Sequence, residues 1–107
     1  IGSGTNQLNF PYGITKDWIK DTLYIADFSN ARIIAYTSGA TSATVVCGSN
    51  GHGNNPNQLN YPIAVHFDPV SNSLLILNYA GHNLVRCKIG ETNWTLVAGS
   101  AQGTAGN

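Results

Sequence analysis

Asn6-Gln7-Leu8-Asn9-Phe10-Pro11 returns 51 residues later as Asn57-Gln58-Leu59-Asn60-Tyr61-Pro62. Holding that offset, Asp17 meets Asp68, Leu23 meets Leu74 and Ile25 meets Ile76. Further on, Gly39 meets Gly90, Thr41 meets Thr92, Thr44 meets Thr95, and Val46-x-Gly48-Ser49 meets Val97-x-Gly99-Ser100. Fifteen of the 56 overlapping positions are identical without a single gap, so the chain is two copies of one unit. Ile14/Val65, Phe28/Tyr79, Ile33/Leu84 and Ile34/Val85 keep their character without identity. The units are residues 1–51 and 52–107, the second including the start of the next connecting loop and of a third copy.

Each unit contains four short runs rich in β-branched and aromatic residues, separated by Gly, Asn, Asp and Ser. They predict strands over 12–15, 22–26, 32–36 and 43–47, then over 63–67, 73–77, 83–88 and 94–98. No stretch keeps a helical period over three turns. Strands this closely spaced form a four-stranded antiparallel meander per unit, and the fold class is all-β. Runs such as Leu74-Leu75-Ile76-Leu77 are apolar at every position, which predicts a sheet covered on both faces by its neighbours. That arrangement is a propeller blade or an equivalent stack.

These residues also carry a family resemblance. Leu8, Pro11, Gly13 and Ile14, then Leu23 to Asp27, then Asn30, Arg32 and Ile33 follow a pattern that resembles the NHL repeat of β-propellers. The second copy keeps Leu59, Pro62, Leu74 and Ile76, but has Ala64 for the Gly, Asn78 for the Asp, Gly81 for the Asn and Asn83 for the Arg. The resemblance covers essentially the whole chain and implies two NHL-type blades, part of a larger ring or assembly. It leaves function open, because such propellers include scaffolds, receptors, RNA binders and enzymes.

One double change between the copies is informative. Asp27 and Arg32 flank the turn between the second and third strands, and at the same places the second copy has Asn78 and Asn83. A sheltered ion pair loses both charges together, because a lone partner would be left uncompensated. Side-chain contact is therefore expected between Asp27 and Arg32, with an amide–amide hydrogen bond between Asn78 and Asn83.

Composition narrows the function classes. Five basic and five acidic residues cancel to zero, and only 9% of residues are charged. Nucleic acid is disfavoured, since phosphate binding draws on clustered Lys and Arg. No apolar run approaches the 18 or so residues of a membrane-spanning helix, so no membrane insertion is expected. With 42% hydrophobic residues and no charge run, disorder is disfavoured too. Twelve Gly, 13 Asn, 9 Thr and 8 Ser take the place of charge, a composition of turns and strands.

The titratable candidates are few. His66 falls in the first strand of its unit, where an NHL-like amidating lyase would carry metal-binding histidines; its first-copy equivalent is Thr15, so no ring of His is expected and His66 reads as structural. His52 and His82 lie in Gly/Asn-rich loops and read as solvated. Asp17 and Asp68 end their strands before a turn, where Asp bonds nearby backbone N–H groups; this is favoured over calcium, which needs several converging oxygens. Gly48-Ser49-Asn50-Gly51-His52-Gly53 lacks the Gly-Lys-Ser/Thr ending of a phosphate loop. Tyr12, Tyr61 and Trp94 read as packing residues rather than a sugar or peptide platform. No catalytic residue, cofactor or metal site is assigned.

Cys47 and Cys87 permit one disulfide, but a separation of 40 residues does not argue for it, and the favoured reading is two buried, unbridged thiols. Asn93-Trp94-Thr95 is a glycosylation sequon. With no Met and loop-like ends, the chain reads as a mature or excised part of something longer. Two blades do not close a propeller and leave an apolar face open at each end. The expectation is a non-enzymatic structural or interaction module, extracellular, whose partners are other copies or further blades of the same protein, with a glycan at Asn93. The alternatives are a fragment of a propeller enzyme, a metal-dependent lyase or lactonase whose catalytic residues sit mostly on other blades, and a ligand-binding ectodomain module.

Overall fold

The computed structural model describes residues 2, 4, 7–40, 43–91 and 93–100. Residues 101–107, which include the start of the third copy, Asn6 of the first motif and the Thr41/Thr92 pair lie outside them. The first four strands are β1 (Pro11–Asp17), β2 (Thr22–Asp27), β3 (Arg32–Thr37) and β4 (Thr44–Gly48). The second four are β5 (Pro62–Asp68), β6 (Ser73–Asn78), β7 (Asn83–Lys88) and β8 (Thr95–Gly99). They form two four-stranded antiparallel sheets in sequence order, β1-β2-β3-β4 and β5-β6-β7-β8. The fold is all-β; the only helical piece among the described residues is a 3₁₀ turn over Phe28–Asn30.

The 51-residue offset extends to backbone detail. The ladder shifts register between Ile33 and Ile34 in the first sheet and between Leu84 and Val85 in the second. Left-handed φ values pair as Phe10/Tyr61, Asp21/Asn72, Ala31/His82 and Gly48/Gly99. Such values are uncommon outside glycine, so their recurrence shows one backbone solution used twice. Gly48 (φ 83°) needs its residue type twice over: a Cβ there would also collide with the Ala31 carbonyl oxygen.

The core lies between the sheets. Tyr24, Ala26, Ile33, Ala35 and Cys47 come from the first, and Val65, Phe67, Leu74, Ile76, Val85 and Cys87 from the second. The alternation of strands puts each set on one face. The Tyr24 and Phe67 rings stack across the junction, 5.4 Å apart and 18° from parallel. Burial of its ring pushes the Tyr24 hydroxyl above the ordinary tyrosine range, with a smaller push from Asp17.

The expectation of burial on both faces does not hold. Leu74 and Ile76 are fully buried, whereas Leu77 is 41% exposed. Among the described residues there are two sheets; each covers one face of the other, and outward side chains such as Ile14 and Leu77 face solvent, while Ile34 on the outer face of the first sheet is buried. The predicted strand over 94–98 also shifts: β8 begins at Thr95, and Trp94 is instead buried, its indole N–H donating to the Gln58 carbonyl at 2.7 Å.

Candidate functional site

The features that organise this chain converge on the junction between its two sheets. The polypeptide reaches the second sheet through residues 49–61, which run back along the first. Asn50 Nδ2 donates to the Asn57 carbonyl (2.7 Å), Gln58 Nε2 to the Asn50 carbonyl (2.9 Å), and the Trp94 backbone N–H to the Pro56 carbonyl (2.8 Å). These bonds fix Leu59, which is completely buried, its Cδ1 lying over Gly48. A leucine removed from such a site leaves a cavity that a bonded loop cannot collapse into. Leu59→Ala is expected to lower stability by about 3 kcal/mol, read as a fall in the urea midpoint. Leu8→Ala, at the equivalent but only partly buried position, should move the midpoint far less.

The first unit's turn pair tethers the segment before β1, which is equivalent to the end of this connection. Asp27 and Arg32 are register partners across β2 and β3, so their side chains project together. Arg32 Nε donates to Asp27 Oδ2 at 2.7 Å, and the two side chains are 3% and 0% exposed. Asn30 Nδ2 also donates to Oδ2 (2.9 Å), while Oδ1 accepts from the Asn9 backbone N–H (2.8 Å). Arg32 Nη2 reaches back to the Gly4 and Gln7 carbonyls at 2.9 and 2.7 Å.

In the second unit Asn78 Nδ2 donates to Asn83 Oδ1 (3.0 Å), and Asn78 Oδ1 accepts from the Asn60 N–H (3.2 Å). The bond to the segment carrying Leu8 or Leu59 is thus kept, while the side-chain bond reverses direction. A carboxylate only accepts, whereas an amide also carries N–H donors, so Asn78 can accept from the backbone with its oxygen and donate to Asn83 with its nitrogen. Both pairs meet as the double change between copies implies.

Cys47 on β4 and Cys87 on β7 form a disulfide, with Cα atoms 6.6 Å apart. This corrects the expectation of two unbridged thiols. Both are buried as expected, but the stacking of the sheets brings them within bonding reach, which chain separation cannot show.

His52 also departs from expectation. Instead of being solvated, its ring stacks on Tyr61 (3.7 Å, 13°), and both nitrogens are engaged. Nδ1 accepts from the Tyr61 N–H at 3.0 Å, so the proton sits on Nε2, which donates to the Ser29 carbonyl at 3.1 Å. Beyond Tyr61 the row continues through Phe28 (4.8 Å) to Tyr12 (4.8 Å). Tyr12 is 63% exposed, so it edges this row rather than filling a core. No residue spacing announces the row; only the approach of the two sheets assembles it.

His66 and His82 are exposed. Asp17 Oδ1 accepts from the Ile19 and Lys20 N–H groups, and Asp68 Oδ1 from that of Val70, so both cap their turns. Among the described residues no three His, Cys, Asp or Glu side chains converge as a metal site requires.

Asp68 further accepts from the Ser71 hydroxyl (2.8 Å) and pairs with Arg86 (3.1 Å); these, the hydroxyl first, hold its carboxyl below its ordinary value of 3.8. A carboxyl depressed in the folded state stabilises the fold above its unfolded pKa. That contribution is lost as pH falls below about 4 through the folded value. Urea midpoints measured against pH should therefore fall in acid, and Asp68→Asn should flatten that fall.

No family model matches the chain, and no curated protein matches it in sequence. Asn93, the sequon residue, is exposed.

Proposed function

We propose that this chain is a pair of NHL-type β-propeller blades acting as a non-enzymatic structural and interaction module. In this reading it forms part of a larger propeller or of a repetitive extracellular assembly. One observation carries the reading: the second meander sits on the first through a junction whose residue positions recur on the outer faces, where Ile14, Leu23 and Leu77 are uncovered although Ile34 is buried. Val65 and Leu74 are buried between the sheets, whereas their first-unit equivalents Ile14 and Leu23 are 61% and 36% exposed. A unit that offers both halves of the same junction is built to be repeated. The disulfide supports an oxidising, extracellular setting. The exposed Asn93 suits a glycan, which would register as a mass loss on treatment with peptide N-glycosidase.

The test is electron microscopy of the protein from its native source, with mass measured on the same particles. Closed rings of several blades, or continuous fibres with a blade-sized repeat, are the expected result. Particles the size of two sheets, with no further repeat, would refute the reading.

A further inference from the structure

We propose that a second copy of this chain docks head to tail on the open face of the second sheet, its Leu8 entering the cavity above Gly99. This rests on the repeat reading above and names the partner of the uncovered face.

The open face of the second sheet bears a cavity of about 350 Å³, lined by Ile63, Leu77, Tyr79, Leu84, Ala98 and Gly99 among others. Shifted by 51 residues, these become Tyr12, Ala26, Phe28, Ile33, Cys47 and Gly48. That set marks the place on the first sheet where Leu59 is buried over Gly48. The second sheet thus has a socket of the same construction, and Leu8 is the residue equivalent to Leu59. Asn9 N–H donates to Asp27 as Asn60 N–H donates to Asn78, so both leucines leave their sheets from the same tethered segment.

The aromatic row predicts the same partner. Inside the chain Phe28 packs on Tyr61 of the following unit at 4.8 Å. The equivalents are Tyr79, 65% exposed, and Phe10, 63% exposed. Phe10 of a docked copy would meet Tyr79 as Tyr61 meets Phe28. Unsatisfied aromatic surface therefore stands at both ends of one molecule, in complementary halves.

Charge permits the contact. Lys16 and Arg86 take the places that Phe67 and Ala35 hold in the internal junction. Each is already paired within its own sheet, Lys16 with Asp21 at 2.9 Å and Arg86 with Asp68 at 3.1 Å. Neither brings an uncompensated charge into the contact. The Cys47–Cys87 link has Ala98 and Tyr36 at the equivalent positions, so the docking between copies is non-covalent and concentration-dependent. Ala64 stands where Gly13 stands internally, and a Cβ on Gly13 would come within 2.9 Å of the Ala64 Cα. The docked strand opposite Ala64 therefore stands off slightly, which loosens the contact without closing the socket. A head-to-tail contact of this kind leaves a free socket on each newly added copy.

The experiment is sedimentation velocity on the 107-residue chain over a wide concentration range, with Leu8→Asp as the head variant and Leu77→Asp as the tail variant. Phe10→Asp and Ala98→Asp serve as second head and tail variants; Phe10 has a left-handed φ of 56°, which Asp tolerates. Circular dichroism and an intact disulfide certify the fold of each. The wild-type chain should assemble beyond one copy as concentration rises, and each variant alone should remain at the 11.3 kDa of one chain. An equal mixture of head and tail variants should form two-chain particles and stop. Only the tail variant's intact Leu8 and the head variant's intact socket can then pair.

A wild-type chain that stays monomeric throughout overturns the proposal, as does assembly that survives both substitutions, or a mixture that gives no two-chain particle. Such failure leaves the blade-pair reading to its own test on native particles, where rings or fibres built from longer chains would still uphold it.

Discussion

Replacing Cys47 and Cys87 together by alanine is expected to lower the free energy of unfolding by about 4 kcal/mol, with the fold retained at low temperature. The bond closes a segment of 40 residues, so its loss restores a large loop entropy to the unfolded chain. Small single domains have only about 5–15 kcal/mol in hand, so the change is a large share of the total. Alanine is the right replacement because both sites are 3% exposed or less, and serine would bury a hydroxyl. Urea unfolding of the double variant, compared with the wild-type chain with and without reductant, measures the effect. Reduction leaves both sulfur atoms in place and so isolates the link from the packing. A midpoint unchanged by both treatments would show that the sheets hold together without the bond.

Asp27→Asn alone should cost about 3–5 kcal/mol, because it leaves the Arg32 guanidinium buried beside a neutral amide. The whole Asp27 side chain is excluded from solvent, so water cannot compensate. Arg32→Asn should cost a similar amount, as it strands the carboxylate and removes the bonds to the Gly4 and Gln7 carbonyls. The double variant Asp27→Asn/Arg32→Asn reproduces what the second unit has at 78 and 83, where an amide pair bonds at 3.0 Å. Its cost should fall well short of the sum of the singles, giving a coupling energy on the order of 2–3 kcal/mol in a double-mutant cycle. Additive costs would mean that the two side chains act independently, contrary to their 2.7 Å contact.

Much of this architecture was legible because the chain states it twice. A β-branched run between turn residues is a weak strand signal alone, but the same run at a fixed offset is a strong one. The ends differ by one or two residues where ladder bonds extend past the apolar run. Asp17 and Asp68 are polar yet close the β1 and β5 ladders opposite Thr22 and Ser73. The turn pair was legible for a different reason: two charges that disappear together between copies report an energetic dependence that neither copy shows alone.

What the sequence by itself determined, then, is everything governed by short range: eight strands, two meanders, the turns that join them and the side chains that meet across one turn. What only the tertiary structure decided is how one sheet lies on the other. That stacking turns two distant thiols into a bond, and makes Leu59 a completely buried side chain while Leu8 stays half-covered. It also engages both nitrogens of His52 and leaves Leu77 and Ile14 facing water. The physical reason is that strand formation follows local backbone preference and alternation, which repeat with the residues. Burial depends on which neighbour is present, and two units of one backbone design differ in their neighbours as well as in their residues.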